Sequence, residues 1–243
     1  GRLSNDILAK GYTNFTDYVN DILTKASPAD IDSMLNRLTT NYTYFMREEE
    51  HFTFFRETIL PYLERTKTDH VLSIWSAGCS TGQEPYTISM ILKEYFGNKA
   101  AMWDTRVLAT DISQNALTAA QNAQYDEESL SKLPPLWKSK YFDRTAEPGI
   151  WRDGTAYAVT QLIKDMVRFR YHNLAELQWP DEQYDVIFCR NVMIYFDQAT
   201  KNGLIERFYN ATAPGGYLLI GHSESLNKTT TRYNYIMPAT YRK

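Results

Sequence analysis

The feature that most constrains this chain is a regular alternation of short, almost continuous apolar runs with amphipathic stretches. Val71 to Trp75, Arg106 to Thr110, Met166 to Tyr171, Tyr184 to Cys189 and Gly216 to Ile220 read as strands. Pro85 to Phe96, Ser113 to Ala123 and Gln198 to about Asn210 read as helices between or after them. Strands that are apolar throughout, rather than on alternate positions, are buried on both faces, and helices between them make the crossovers a parallel sheet needs. The expectation is a Rossmann-like α/β domain. At 243 residues with 43% hydrophobic content, the chain is long enough to bury such a core with some sequence left over.

Polar motifs fall where an open α/β sheet places its ligands, at the carboxyl ends of strands. Trp75-Ser-Ala-Gly-Cys-Ser-Thr-Gly82 follows the first strand and precedes a helix. Its glycines let a backbone approach a ligand closely, which marks Ala77 and Gly78 as candidate cofactor contacts. The Gly78-x-x-x-Gly82 spacing is neither the GxGxxG of dinucleotide dehydrogenases nor a phosphate-binding loop, because no lysine follows. Asp111 ends the second strand, where a carboxylate can accept hydrogen bonds from two ribose hydroxyls; the competing reading is a helix N-cap before Ser113. Asp185 to Asp197 is a buried strand that ends in Asn191, both donor and acceptor, and Tyr195, whose hydroxyl falls near the same edge.

Other segments depart from this rhythm. Phe15, Tyr18, Val19, Ile22 and Leu23, then Ile31, Met34, Leu35 and Leu38, recur at helical spacing, with Ser27 as N-cap, Pro28 at the first helical position and Asp30 in the first turn of the second helix. Residues 1–38 therefore read as a small helical domain before a main domain of residues 39–243. Phe52, Phe55, Ile59, Leu60 and Leu63 suggest one further helix. Between about Lys138 and Ile163, Tyr141-Phe142, the Pro148-Gly149 and Asp153-Gly154 turns and the Tyr157-Ala-Val159 alternation read as a small antiparallel insertion.

Several function classes are disfavoured. A formal net charge of -3 lacks the basic footprint of a nucleic-acid-binding protein. No run approaches the roughly 20 apolar residues of a membrane span, and Gly1 to Lys10 has no signal-peptide core, so a cytoplasmic protein is expected. Cys79 and Cys189 lack metal-ligand or disulfide spacing, so no metal is expected; both fall at strand ends and read as free thiols that could lie near each other. His222-Ser-Glu224 contains triad residue types, but adjacent residues cannot form a triad and no nucleophile elbow is present.

Taken in order, Thr39-Thr-Asn-Tyr-Thr-Tyr-Phe-Met-Arg-Glu48, Trp75-Ser-Ala-Gly-Cys-Ser-Thr-Gly-Gln-Glu-Pro-Tyr86, Ala109-Thr-Asp-Ile112, Cys189-Arg-Asn-Val-Met-Ile-Tyr-Phe-Asp197 and Gly215-Gly-Tyr-Leu-Leu-Ile-Gly-His-Ser-Glu-Ser225 resemble the signatures of the chemotaxis receptor methyltransferase (CheR) family. The resemblance runs from about residue 12 to the end; Met46 and Gln83 depart from the family's usual phenylalanine and glutamate. It implies a helical N-terminal domain joined to an S-adenosylmethionine (SAM)-dependent methyltransferase domain with a β insertion. It assigns Asn41, Thr43, Arg47, Glu84, Asp111, Asn173, Leu174, Asn191 and Val192 to SAM or its product S-adenosylhomocysteine, and puts Arg47 and Tyr195 nearest the transferred methyl. The implied reaction is methyl esterification of glutamates on the cytoplasmic domain of chemoreceptors. The insertion or the helical domain would meet the receptor, in some members through a peptide at the receptor's C-terminus. A methyltransferase with another acceptor and a non-catalytic SAM-sensing module are the alternatives. Residues 1–38 carry Arg2, Lys10, Lys25 and Arg37 against Asp6, Asp17, Asp21, Asp30 and Asp32, which is not a basic docking face.

Overall fold

A computed structural model describes residues 7–8, 11–25, 27, 30, 34, 42–145, 156–227 and 229–243. The strands β1 (Val71–Ala77), β2 (Asp104–Asp111), β6 (Val167–Tyr171), β7 (Tyr184–Cys189) and β8 (Thr212–Ile220) form the parallel part of a seven-stranded sheet, completed by β9 (Asn234–Met237) and β10 (Thr240–Arg242). The spatial order is β6-β2-β1-β7-β8-β10-β9, with β10 antiparallel to both β8 and β9. Strand order therefore reverses between β1 and β7, and the crevice at their carboxyl ends is where such a sheet takes a ligand.

Burial explains why the apolar runs had no alternation. All six residues of β7 are buried, as are the last four of β1. One face of the sheet packs under α4 (Gln83–Phe96) and the helical segment of residues 49–66; the other packs under α8 (Gln198–Ala211). Phe188 stacks on Phe52 at 6.0 Å and meets Phe55 edge-on at 5.5 Å, joining β7 to that segment. Deleting such a ring should cost about 3–5 kcal/mol, lost transfer energy plus a cavity. Local sequence sets the helix starts. Ser113 caps α5 (Gln114–Asn122) by accepting from the Ala116 N–H at 3.1 Å, and Asp197 caps α8 by accepting from Thr200 at 2.8 Å. Asp111 is thus not the cap of α5.

Three expectations change. The helix expected across Phe52 to Leu63 is α2 (Glu49–Phe54), a π turn (Phe55–Ile59) and α3 (Leu60–Thr66). Pro61 has no N–H to give to an α-helical ladder, so a wider turn beside it leaves no donor unmet. The insertion starts as a helix: Lys138 lies in α6 (Pro135–Tyr141), and the sheet comprises β3 (Gln124–Tyr125), β4 (Phe142–Thr145) and β5 (Ala156–Val159) in the order β3-β5-β4. Its third strand comes from just after α5, and the short helix α7 (Gln161–Lys164) leads back to β6. The Pro148-Gly149 and Asp153-Gly154 turns lie outside the described residues. Finally, β9 and β10 extend the sheet beyond what the apolar runs revealed, because at four and three residues both are too short to show a pattern.

Before the sheet, α1 (Phe15–Lys25) buries Tyr18 and Ile22 in a small apolar cluster with Ile7, Tyr12, Val19 and Met34. The Ser27 hydroxyl and N–H both meet the Asp30 carboxylate, while the Asp30 N–H meets Ser27 Oγ, the reciprocal bonding of a helix start. Most of the expected second helix, through Leu38, lies outside the described residues, as does Asn41. Among the described residues, no helix is long and apolar enough to cross a membrane.

Candidate active site

The floor of the site is the turn after β1. Gly78 and Gly82 have φ of +96° and +97°, backbone that side-chain-bearing residues rarely adopt. The N–H groups of Gly78 and Cys79 both donate to Thr110 O, at 2.8 and 2.9 Å, pinning the turn to β2. A Cβ at Gly78 would collide with the Val192 side chain, so this glycine is required for contact across the β1–β7 crevice. Asp111 closes the floor: Oδ2 accepts from Ser80 N at 2.8 Å and Oδ1 from Ser113 N at 2.9 Å. The Ile112 N–H also acts on this carboxylate, whose remaining acceptor capacity is open to a ligand hydroxyl. Burial raises the Asp111 carboxyl above the ordinary carboxylate range, against the pull of those N–H groups.

Arg190, at the end of β7, organises the wall. Its Nη1 donates to Glu84 Oε2 at 3.0 Å, and its Nη2 and Nε donate to Glu48 Oε2 at 3.1 and 3.3 Å. Nη2 also meets the Arg47 carbonyl. Glu84 receives Ser76 Oγ at 2.7 Å on its other oxygen. Burial still lifts the Glu84 carboxyl above its usual range, while for Glu48 the burial penalty is outweighed by Arg190, Asn191 and the His222 N–H, which hold it below. One guanidinium thus satisfies two carboxylates that would be costly to bury alone. Glu48, His51 and His222 bring three donor atoms within 4.8 Å of one another. Glu48 is already engaged by Arg190 there, and burial depresses the fully buried His51 to a pKa of about 3, so its imidazole is neutral and stands beside the Glu48–Arg190 pair without joining it as a charge.

Arg47 reaches the mouth from the segment before α2. Its Nη2 donates to Asn191 Oδ1 at 2.7 Å and its Nη1 to Tyr42 O at 2.8 Å. Asn191 Nδ2 donates to Glu48 Oε1 at 3.1 Å, so the Asn191 amide is clamped from both ends. Met46, Glu48 and Asn191 all have positive φ, a strained backbone that these bonds hold in place.

These elements enclose a cavity of ≈ 500 Å³ whose lining is mostly apolar. Thr43, Arg47, Gly78, Glu84, Asp111, Asn173, Leu174, Asn191, Val192 and Tyr195 all line it. Ala77 does not: it is fully buried in β1, one residue short of the turn. Cys79 lines the cavity and Cys189 does not; both are buried free thiols in separate apolar clusters, and burial raises both. Sequence reasoning missed Tyr44, Phe52, Ser80, His172 and above all Arg190. An arginine at the end of an otherwise apolar strand was the available signal, since such a charge must be paired or face a ligand. Size, apolar walls, a buried carboxylate with open lone pairs at the floor and a second acidic group at the wall suit an adenosine carrying a charged amino-acid arm.

Comparison with known proteins agrees. Residues 41–242 match the family described as CheR methyltransferase, SAM binding domain. The chain is 39% identical over 246 residues to the chemotaxis protein methyltransferase of Borreliella burgdorferi, covering 100% of this chain and 84% of that one. It is 37% identical over 228 residues to a probable chemotaxis protein methyltransferase of Rhizobium etli, covering 93% and 83%. The chemotaxis protein methyltransferase of Escherichia coli is 34% identical over 235 residues, covering 96% and 77%. With its parallel sheet, its cavity at the strand-order reversal and these relatives, the chain belongs to the CheR family of SAM-dependent methyltransferases.

Proposed function

We propose that this enzyme esterifies glutamate side chains on the cytoplasmic domain of chemoreceptors, with SAM in the cavity described above. The observation that carries this reading is the convergence of Arg47 and Tyr195 on the cavity mouth, where Tyr195 is 55% exposed. The names of the curated relatives support the link to chemotaxis. Asp111 would hold the ribose hydroxyls, Glu84 the amino group, and Asn173, Leu174, Asn191, Val192, Gly78 and Thr43 the remaining walls.

SAM supplies a methyl on a sulfonium: the carboxylate oxygen forms the new O–C bond as the C–S bond breaks and its electron pair goes to sulfur. A glutamate acceptor, with an ordinary pKa of about 4.3, is already ionised at neutral pH, so the protein need not remove a proton. Its work is alignment, which can lower a barrier by about 7–11 kcal/mol in favourable cases. Arg47 uses its two terminal nitrogens on Asn191 and Tyr42, yet its five N–H groups leave donors for one acceptor oxygen. Tyr195, which lines the same cavity and is exposed, offers a hydroxyl as a second donor. Holding one oxygen leaves the second free to attack, whereas a bidentate clamp on both would blunt it.

In the insertion, among the described residues, β4 pairs with β5 alone and lies at the edge of its sheet, with Asp143 and Arg144 exposed. An extended receptor peptide could add to such an edge by main-chain hydrogen bonds. The decisive experiment is transfer of labelled methyl from SAM to membranes bearing candidate receptors, with release of label by base showing an ester. Label that resists base, or that needs no receptor, would reject the glutamate reading. Shortening residues 142–159 to a tight turn should leave S-adenosylhomocysteine binding intact and reduce receptor methylation; intact methylation would move recognition elsewhere.

A further inference from the structure

The stretch His222-Ser-Glu224 has no part in hydrolysis, yet its glutamate is one of the most engaged side chains near the cavity. Glu224 Oε2 accepts from Gly221 N at 2.6 Å and Asn191 N at 3.0 Å, and Oε1 accepts from Ile194 N at 3.1 Å. Two of these donors belong to the turn after β7, 33 and 30 residues away in the chain. Asn191 adopts φ of +60° there, and successive N–H groups of such a turn form a concave pocket for an anion. The protein fills that pocket with its own carboxylate. A Cβ at Gly221 would sit 2.8 Å from Asn191 N and 2.9 Å from Glu224 Oε2, so glycine is what lets the end of β8 come this close.

The same turn carries the site. Asn191 and Val192 line the cavity, Asn191 takes the Arg47 guanidinium, and the 3₁₀ turn Met193–Tyr195 ends on the mouth tyrosine. Glu224 itself is not among the lining residues. We propose that Glu224 is a positioning residue for methyl transfer: it fixes the turn of residues 191–195, so that Asn191 and Val192 form the cofactor wall and Tyr195 faces the acceptor. The role rests on the cofactor site read above. Both carboxylate oxygens are occupied by main-chain donors, so Glu224 acts through its neighbours and not as a base. Burial raises its carboxyl while the N–H bonds pull the other way, the balance expected of an internal anion.

E224Q tests this in the full chain, because the amide keeps the shape but turns an NH2 group toward N–H donors. S-adenosylhomocysteine should bind about tenfold more weakly, the loss of a charged acceptor bond, and turnover at saturating SAM should fall as well. The Asn191 and Ile194 amides should exchange hydrogen faster while amides of β1 and β2 keep their protection. E224D, which retains charge on a shorter arm, should recover part of the affinity. A folded E224Q that binds within about twofold of wild type, with unchanged exchange at Asn191 and Ile194, overturns the role. So does protection lost evenly across the sheet, which would make Glu224 a general stabiliser; if E224Q does not fold, the same exchange comparison is made on E224D. Wild-type protein that fails to bind S-adenosylhomocysteine would overturn the cofactor site and this role together, whereas wild-type binding with an unaffected variant overturns the positioning role alone.

Discussion

At the floor and wall of the cavity, Asp111 and Glu84 have a hydrogen bond on every carboxylate oxygen, and Arg190 is buried between two acids. At the mouth, Tyr195 is 55% and Tyr42 71% exposed, and Arg47 spends two nitrogens on neighbours while keeping others free. The first region is complete before any ligand arrives; the second is left open. A buried set of opposed charges binds only what matches it, and gives up its partners at high cost. An open mouth leaves its donors unspent until the acceptor comes, which is where interactions made only in the transition state belong.

The comparison predicts its largest effect at Arg190. Arg190→Ala leaves Glu48 and Glu84 buried without their cation, a change that should cost about 3–5 kcal/mol of stability. Urea denaturation would measure it. A loss under about 1 kcal/mol would mean the network is solvated like a surface pair, and the contrast between wall and mouth would fall.

Arg47→Ala should separate the regions kinetically. Turnover should drop about 100-fold, roughly 2.7 kcal/mol, with S-adenosylhomocysteine affinity weakened by less than about fivefold. Tyr195→Phe should act in the same direction by about tenfold or less. Equal losses of binding and turnover would make both residues cofactor ligands and merge mouth with floor.

Asp111→Ala reverses the pattern on a smaller scale. Binding of SAM and S-adenosylhomocysteine should weaken by about 1–3 kcal/mol, read by calorimetry, because two hydroxyls lose a charged acceptor. Unchanged affinity would leave Asp111 only its visible task of tying Ser80 to Ser113.

The parts of this design that were legible in the sequence share one property: their signal is local. The strand β7 and the Gly78 turn announce themselves by composition and spacing within a dozen residues, and the long motifs carried the family. What was hidden depends on pairs far apart in the chain. Arg190 meets Glu48 from 142 positions away, and Glu224 meets Asn191 from 33. Nothing in the sequence separates Glu48 from the exposed glutamates beside it, Glu49 and Glu50. The π turn at Phe55–Ile59 escaped for a related reason, since its apolar positions fit an α-helix and only Pro61 hinted at a wider coil.

The smallest expected effect is a pH dependence whose sign differs within the network. Asp111, Glu84 and Glu224 are held above the ordinary carboxylate range by burial. Their contribution to stability is fully present below the unfolded pKa, near 4, and is lost as pH rises through the folded value, because folding must then bury a charge. Glu48 is held below its range, so its contribution is present above the unfolded pKa, about 4.3, and is lost as pH falls through the folded value. Wild type should therefore gain stability relative to Asp111→Asn as pH falls from neutral toward the unfolded carboxylate pKa. Relative to Glu48→Gln it should hold steady over that interval and lose its advantage only below about pH 4. Denaturation midpoints for the three proteins at stepped pH decide the matter. If both differences change in the same direction, Glu48 is governed by burial like the others, and the Arg190 pairing does not set it apart.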